Sequence, residues 1–373
     1  MTKQVLFVLC VVAVLISGCL DHNNGSAEQA HEDHSTTTEE SAIGHDAYDI
    51  LTTFGPGTSP HHHNTDLSKL TVVEDIARDP NDVPPPINRD YSTTVKVHLH
   101  AIEVISEIAP HITYNYWTFN GTIPGPMIRV REGDMVELTL SNDKTSTHTH
   151  SIDLHAVTGP GGGAGLTQVK AGETKTIRFK ALNPGSFVYH CATQNVPMHM
   201  TNGMYGMIIV EPEEGLDQVD KEFYAMQGEL YTQGAIGELG YQAFDAEKML
   251  YEKPEYVVFN GRVKSLVDKP MKAEVGDTVR LYIGNGGVSL ISSFHVIGEI
   301  LDRVYIEAST SAPRENTQTT AIPAGGATVA EFEVQVPGNY ILVDHALSRL
   351  EKGAWGFLSV TGDERKDIYS SVE

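Results

Sequence analysis

The chain has 373 residues, with 26 Lys and Arg against 49 Asp and Glu, which gives a formal net charge of -23. This length is enough for two domains of ordinary size, each with its own hydrophobic core. The acidic balance argues against a nucleic-acid partner, because there is no basic field to meet phosphates.

The first residues of the chain have the pattern of an export signal, predicted over 1–18. Lys3 supplies a positive start, and the apolar run 5–16 is too short to span a bilayer. The residues up to Cys19 resemble the lipobox of bacterial lipoproteins, which predicts that Cys10 is removed and Cys19 carries lipid. An ordinary secretory signal is the alternative. Under both hypotheses the protein works outside the cytoplasm; the lipobox indicates a cell-envelope lipoprotein held to a membrane by its lipid, in the outer membrane or periplasm.

Residues 19–89 are predicted to form a flexible tether. Acidic, Ser, Thr, Asn and His residues dominate up to His45, and two Pro-rich stretches follow, so there is little to form a core. The histidines of this segment are His22, His31, His34, His45, His61, His62 and His63. They are interpreted as part of a solvated polar segment, with metal scavenging as the alternative.

Regular structure is predicted from residue 90 onward. The run 94–100 alternates apolar and polar residues, as expected of a half-buried strand, and 135–140 and 176–179 are further strand-length segments. Frequent turn residues between such runs predict an all-β protein made of sandwiches. One short helix is predicted around 243–251, with Asp245 as its N-cap.

An internal repeat predicts the number of domains. Phe119-Asn120-Gly121 returns as Phe259-Asn260-Gly261, and in this register His150 falls opposite His295. Two copies of one β-sandwich are therefore predicted, over 90–212 and 256–362. The segment 213–255 is expected to be a connection, and 363–373 a tail.

The stretch 148–204 holds the residue types that a soft, redox-active metal prefers: imidazoles, one thiolate and thioethers. His190 and Cys191 are adjacent, and neighbouring side chains of an extended segment point to opposite faces. The peptide between them would then join two metal sites. This pattern indicates a copper redox enzyme.

Several motifs in order along the chain resemble the copper-containing nitrite reductases, with the closest likeness to the lipoprotein branch of bacterial outer membranes. These motifs begin at Asn120, His150, Tyr189, Asn202 and Phe294. The resemblance covers roughly 90–362. It implies two tandem cupredoxin-like Greek-key domains, two coppers per subunit (type 1 and type 2), and reduction of nitrite to nitric oxide in denitrification or nitrate assimilation.

The first copper site is predicted from a set of two imidazoles, a thiolate and a weak axial thioether, which is typical of electron-transfer copper. The predicted type 1 ligands are His150, Cys191, His199 and Met204. Met198, Met200 and Met207 are rival thioethers, but the spacing and the family pattern favour Met204.

The second copper site needs a different ligand set with an open position for substrate. His155 and His190 are the predicted type 2 ligands in this part of the chain, and His345 is the third. The resemblance implies that His345 comes from the adjacent subunit, which would make the protein a homotrimer.

The resemblance also implies the residues that supply protons to nitrite. Asp153 matches the family's active-site aspartate, His295 its second acid-base residue, and Ile297 the apolar residue that restricts the bound ligand. Glu299 and Thr328 are expected to support His295. Electrons are expected from a small cupredoxin or a cytochrome c, which would approach an apolar area near Met198 and Met200.

Two other classes of function compete with this prediction. A two-domain multicopper oxidase would need more His-x-His pairs and a histidine directly after Cys191, where Ala192 stands. A non-enzymatic cupredoxin electron carrier would explain the type 1 ligands. It would leave Asp153, His155, His295 and His345 without a role.

Overall fold

The computed structural model describes residues 67–307 and 309–372. The predicted signal segment, Cys19 and the histidines up to His63 lie outside these residues. Within them, no helix combines the length and the apolar character needed to cross a membrane.

Strands make up most of the described chain. Up to Glu211 the strands are β1 (Thr71–Val72), β2 (Thr94–Ala109), β3 (Ile112–Phe119), β4 (Ile128–Arg131), β5 (Met135–Asn142), β6 (Asp153–Leu154), β7 (Thr174–Lys180), β8 (Gly185–His190) and β9 (Tyr205–Glu211). The later strands are β10 (Lys221–Leu230), β11 (Gly240–Gln242), β12 (Tyr256–Phe259), β13 (Met271–Glu274), β14 (Thr278–Asn285), β15 (Ser292–Ile297), β16 (Leu301–Tyr305), β17 (Arg314–Thr317), β18 (Thr319–Ile322), β19 (Ala327–Glu333), β20 (Gly338–Asp344) and β21 (Trp355–Thr361).

Helices are few and short in this part of the chain. The α-helices are α1 (Val196–Thr201), α2 (Ala246–Leu250) and α3 (Ser265–Asp268), with 3-10 turns at Leu67–Lys69 and Pro160–Leu166. The prediction of a helix after Asp245 is confirmed, because the Asp245 side chain accepts a hydrogen bond from the Lys248 backbone N–H.

The first domain is a sandwich of two sheets. One has the order β11-β3-β2-β5-β7, with β1 beside β2, and the other has the order β4-β9-β8-β6. Alternate residues of β5 are buried, as the apolar–polar alternation of its sequence predicts. The core between the sheets contains Cys191 and Met204 together with large apolar side chains such as Trp117 and Tyr189. The candidate site residues of this domain therefore lie at the edge of a packed core.

The second domain repeats this architecture. Its sheets have the orders β12-β10-β14-β19-β16-β17 and β13-β21-β20-β15-β18, and they enclose a second core. A third group of buried residues, which includes Val188, Met207, Tyr224 and Tyr282, joins β8 and β9 of the first domain to β10 and β14 of the second. The predicted all-β class with two tandem sandwiches is confirmed.

The internal repeat is visible in the backbone. Asn120 and Asn260 both have a positive φ, 60° and 45°. The Asn120 side chain accepts a hydrogen bond from the backbone N–H of His100, and that of Asn260 accepts one from Met226. Asparagine tolerates this left-handed conformation better than most residues, so the repeated motif marks the same turn in each domain.

This repeat corrects the predicted extent of the connecting segment. Met226 is the counterpart of His100, so β10 is a strand of the second domain and corresponds to β2 of the first. It lies between β12 and β14 in the sheet. The prediction that all of 213–255 is a connection is therefore wrong for 221–230. This strand is buried along most of its length, so it lacks the apolar–polar alternation that marks a half-buried strand.

The predicted tether also ends earlier than residue 89. β1 pairs with β2 through Thr71 and Val104, and the Ile76 side chain is fully buried. The backbone carbonyl of Ile76 accepts a hydrogen bond from Ile123. The described residues from 67 to 89 thus pack against the first domain, and they bury isolated apolar side chains such as Leu70 and Ala77.

Candidate metal centres

The first candidate centre brings together His150, Cys191 and His199, all of which are buried. The Nδ1 atoms of His150 and His199 lie 3.3 Å apart, and the Cys191 Sγ lies 3.2 Å from the His199 Nδ1. Two ring nitrogens and one sulfur therefore face a common point. This donor set fits a soft, redox-active metal such as copper.

Three parts of the fold supply these side chains. His150 pairs with Val169 just before β6, Cys191 follows β8, and His199 lies in α1. Met204, the predicted axial thioether, is fully buried in the same core as Cys191. Its backbone carbonyl accepts a hydrogen bond from Cys191, which holds the two ends of the loop together.

Backbone and hydroxyl groups surround the cysteine sulfur. The Ser151 backbone N–H donates to the Cys191 Sγ at 3.3 Å, and the Thr193 hydroxyl oxygen lies 3.5 Å from it. Burial alone would raise the pKa of the Cys191 thiol, but hydrogen bonding to His150 and Thr193 lowers the pKa below its ordinary value. These groups favour the thiolate form, which is the form that binds metal.

One residue of this centre, Glu103 on β2, was not predicted from the sequence. Its side chain is fully buried, and its Oε1 lies 3.2 Å from the His150 Nε2. The nearest sequence signal is its position in the strand. Leu99, Ala101 and Glu103 are alternate residues of β2, which point to the same face, and all three are buried. Strand alternation could therefore have placed this glutamate inside the sandwich.

The second candidate centre consists of Asp153, His155 and His190 and is more open to solvent. The Nε2 atoms of His155 and His190 lie 3.1 Å apart. β6 pairs with β8 so that Asp153 is directly opposite His190, and its Oδ2 lies 3.9 Å from the His190 Nε2.

Hydrogen bonds orient both imidazoles of the second centre. The His190 Nδ1 lies 3.0 Å from the Cys191 carbonyl oxygen, and the His155 ring hydrogen-bonds the backbone of Gly325. Desolvation of the His155 ring, together with nearby His190, lowers its pKa. A neutral imidazole with its second nitrogen held by a carbonyl is the form that binds metal, so this pair fits copper too.

The remaining predicted site residues lie on the second domain. β15 carries His295 and pairs with β20, and His345 follows β20. The His295 and His345 ring centroids are 5.4 Å apart. Ile297, at the end of β15, exposes 41% of its surface. Among the described residues, neither group with three converging ligand atoms includes His345.

The hydrogen-bond partner of His295 is a residue that was not predicted. The His295 Nδ1 lies 2.5 Å from the Gln318 carbonyl oxygen, a contact that β18 supplies from its N-terminal side. Thr328 is buried in β19, in the opposite sheet, and Glu299 accepts a hydrogen bond from Ile300. Neither side chain hydrogen-bonds His295 among the described residues, so the support of His295 by Glu299 and Thr328 stays a prediction.

The expected docking area for an electron donor was placed near two methionines of α1. Met198 and Met200 are 8% and 7% exposed, so neither side chain presents an apolar surface. Both pack into the protein on α1.

Comparison with known proteins shows the class first. Residues 103–215 match the family model described as multicopper oxidase. The copper nitrite reductase structure from Nitrosomonas europaea aligns with a TM-score of 0.63 and 36% identity over 73% of this chain and 95% of that one.

The curated relatives show the particular family. The chain is 51% identical over 302 residues to the copper-containing nitrite reductase of Neisseria gonorrhoeae, covering 80% of this chain and 77% of that protein. It is 40% identical to the same enzyme of Alcaligenes faecalis over 68% of this chain and 72% of that one. The chain belongs to the copper-containing nitrite reductase family, which confirms the resemblance in its motifs.

Proposed function

We propose that the protein reduces nitrite to nitric oxide, using one electron and two protons per nitrite and releasing water. The observation that carries this proposal is the position of two distinct donor sets on either side of one peptide bond, between His190 and Cys191. Membership of the family supports it. Copper bound at the two sets would supply one-electron transfer at the first and Lewis-acid binding of nitrite at the second.

His150, Cys191, His199 and Met204 are the proposed ligands of the type 1 site. Their burial excludes water, and the fixed loop between Cys191 and Met204 limits how far the ligands can move. Limited movement favours electron transfer, because little reorganisation is then needed when the charge changes. Electrons would pass from this site along the chain from Cys191 to His190.

His155 and His190 are the proposed ligands of the type 2 site, completed by His345 of the partner subunit. Supporting this, His345 lies with His295 on the second domain, and Asp153, His155 and His190 form a separate group on the first. A closed ring of copies in which each supplies His345 to the next fits a homotrimer.

Asp153 and His295 are the proposed proton donors. The Asp153 carboxylate lies close enough to His190 to reach a ligand on the open side of the site. In this position it would hydrogen-bond a nitrite oxygen and deliver the proton needed for the N–O bond to break. His295, held at its Nδ1 by the Gln318 carbonyl, leaves its Nε2 for a second proton, and Ile297 supplies an apolar wall.

The protein is further proposed to be an envelope lipoprotein that receives electrons from a small cupredoxin or a cytochrome c. The support is the signal-like pattern that ends at Cys19. A Cys19→Ser variant should leave the membrane fraction of the cell envelope, whereas a variant that remains in that fraction would contradict the lipid anchor.

Mixing of subunits tests the shared catalytic site. His155→Ala and His345→Ala should each abolish nitric oxide release from nitrite with an artificial reductant. When both variants are co-expressed in equal amounts, random mixing in a closed ring should restore activity at about a quarter of the sites. Mixed assemblies that stay inactive would show that the two histidines do not act across a subunit boundary.

A further inference from the structure

Glu103 accepts hydrogen bonds from several residues of the segment 147–150, which contains the proposed ligand His150. Its Oε1 accepts from the backbone N–H groups of Thr147 and His148 at 2.9 Å and 2.8 Å. Its Oε2 accepts from the Thr147 hydroxyl at 2.6 Å. The two rings at His148 and His150 lie 3.1 Å and 3.2 Å from the same Oε1. One buried carboxylate thus holds the chain from 147 to 150.

The hydrogen bonds also decide the form of this carboxylate. The Glu103 Oε1 accepts from two backbone N–H groups, which can only donate, and the Oε2 accepts from the Thr147 hydroxyl. Both oxygens of this buried carboxylate therefore act as hydrogen-bond acceptors. The His150 Nε2 facing it must therefore carry the hydrogen.

This contact determines which nitrogen of His150 is free to bind a metal. With the hydrogen on Nε2, the Nδ1 atom carries the lone pair, and Nδ1 is the atom that faces His199. A carboxylate that accepts a hydrogen bond from a metal-binding histidine also makes the other ring nitrogen more basic, so that it binds the metal more strongly.

We propose that Glu103 is a positioning residue of the first centre, which fixes the tautomer of His150 and places a buried carboxylate behind this ligand. The inference rests on the proposed function only in taking copper as the metal that the centre binds. It requires neither nitrite turnover nor a shared catalytic site.

The charge of Glu103 should lower the reduction potential of copper at this centre, because an anion stabilises the more positive, oxidised ion. Glu103→Gln keeps the size of the side chain and removes the charge. In this variant the ratio of reduced to oxidised copper at a fixed solution potential should rise about tenfold. This corresponds to an increase in reduction potential of about 59 mV for a one-electron couple.

The experiment uses the copper-loaded full chain and follows the visible absorption of the oxidised site during potentiometric titration. Glu107→Gln is the matched control, because it removes a carboxylate from the same strand at an exposed position, where it accepts a hydrogen bond from the His111 backbone N–H. Glu103→Gln should show the shift, and Glu107→Gln should match the wild type. Equal potentials in all three proteins would overturn the proposal.

A second measurement does not depend on the variant folding. In the metal-free wild type, nitrogen-15 NMR of the histidines should show His150 with its hydrogen on Nε2. A hydrogen on Nδ1 would overturn the proposal. If the wild type fails to turn over nitrite but gives both expected results, the proposed enzyme function fails and the role of Glu103 stands.

Discussion

At the scale of single residues, the position of Asp153 depends on a glycine that faces it. Gly162 has a φ of +56°, and a Cβ built on it would lie 1.7 Å from the Asp153 Oδ1. No side chain fits there unless the carboxylate turns away. Gly162 therefore leaves the space in which Asp153 points toward His190.

Substitution of this glycine should separate activity from folding. In Gly162→Ala the flexible Asp153 side chain can rotate away, so the chain should fold and bind copper. The kcat for nitrite should fall about a hundredfold, at the low end of the range for a lost general acid.

Gly172→Ala is the matched control for this prediction. Gly172 has a φ of +78°, and a Cβ at this position would have no other atom within 4 Å. The substitution therefore tests the backbone strain alone, which costs about 1–2 kcal/mol. Wild-type kcat in Gly162→Ala, measured with an artificial reductant, would show that Asp153 does not need this space.

A second prediction at this scale concerns pH. Burial raises the pKa of Glu299 to about 7, and the nearby Asp302 contributes. The folded chain therefore binds this proton more tightly than the unfolded chain. The stability that proton binding contributes is fully present below pH 4.5 and is lost as the pH rises through about 7. Glu299→Gln should have the Tm of the wild type near pH 4 and a higher Tm at pH 8.5.

Thermal unfolding at both pH values checks this prediction. Glu315→Gln, at an exposed position of β17, is the control. Its difference in Tm between the two pH values should equal that of the wild type. A Tm increase for Glu299→Gln that is equal at both pH values would show that proton binding is not the cause.

Distance along the chain decided which site residues could be predicted from the sequence. The ligands between His150 and Met204 could be predicted because they lie within one stretch with recognisable spacing. Glu103 could not be linked to His150 in this way, because the two residues lie 47 positions apart and meet only inside the folded first domain. The support of His295 by Gln318 was missed for the same reason.

At the scale of elements, the loop after β20 determines where His345 lies. Asp344, the last residue of β20, is fully buried and accepts hydrogen bonds from Gln227, from Arg349 and from the Ala346 backbone. The carboxylate thus ties the start of the loop to β10 and to the loop's own later residue Arg349. The histidine next to it is held by this network.

Removal of the arginine should loosen this loop. Arg349→Met leaves the Asp344 carboxylate without its cation, and we expect the free energy of unfolding in urea to fall by about 1–3 kcal/mol. Copper occupancy of the second centre should fall with it, while the visible absorption of the first is retained. Arg365→Met, which removes an exposed ion pair with Asp367, is the control and should change neither. Full second-centre occupancy in Arg349→Met would contradict the role of the network.

The local sequence pattern predicted some strands and helices but not others. Alternating strands such as β5 and the helix capped by Asp245 follow from local pattern. β10 could not be recognised, because it is buried along most of its length although Gln227, Gly228 and Glu229 interrupt its apolar residues. Its sequence therefore shows neither apolar–polar alternation nor a continuous apolar run. The repeated Phe-Asn-Gly motif predicted two domains but did not show which strand begins the second.

At the scale of the whole molecule, the fold places the two candidate metal centres at the end of one strand, β8, and the other proposed catalytic residues on the second domain. Cys191 belongs to the buried centre and His190 to the open one, since side chains alternate at the end of β8. His295 and His345 lie together on the neighbouring sandwich. We propose, on this basis, that the second centre is a catalytic copper site separate from the first.

Copper content per chain, together with nitrite-dependent nitric oxide release, tests this claim most directly in the wild type and in His155→Ala. We expect two coppers per chain in the wild type and one in His155→Ala, with visible absorption retained and nitric oxide release lost. One copper in the wild type, with no nitrite turnover from an artificial donor, would contradict the claim and indicate an electron carrier.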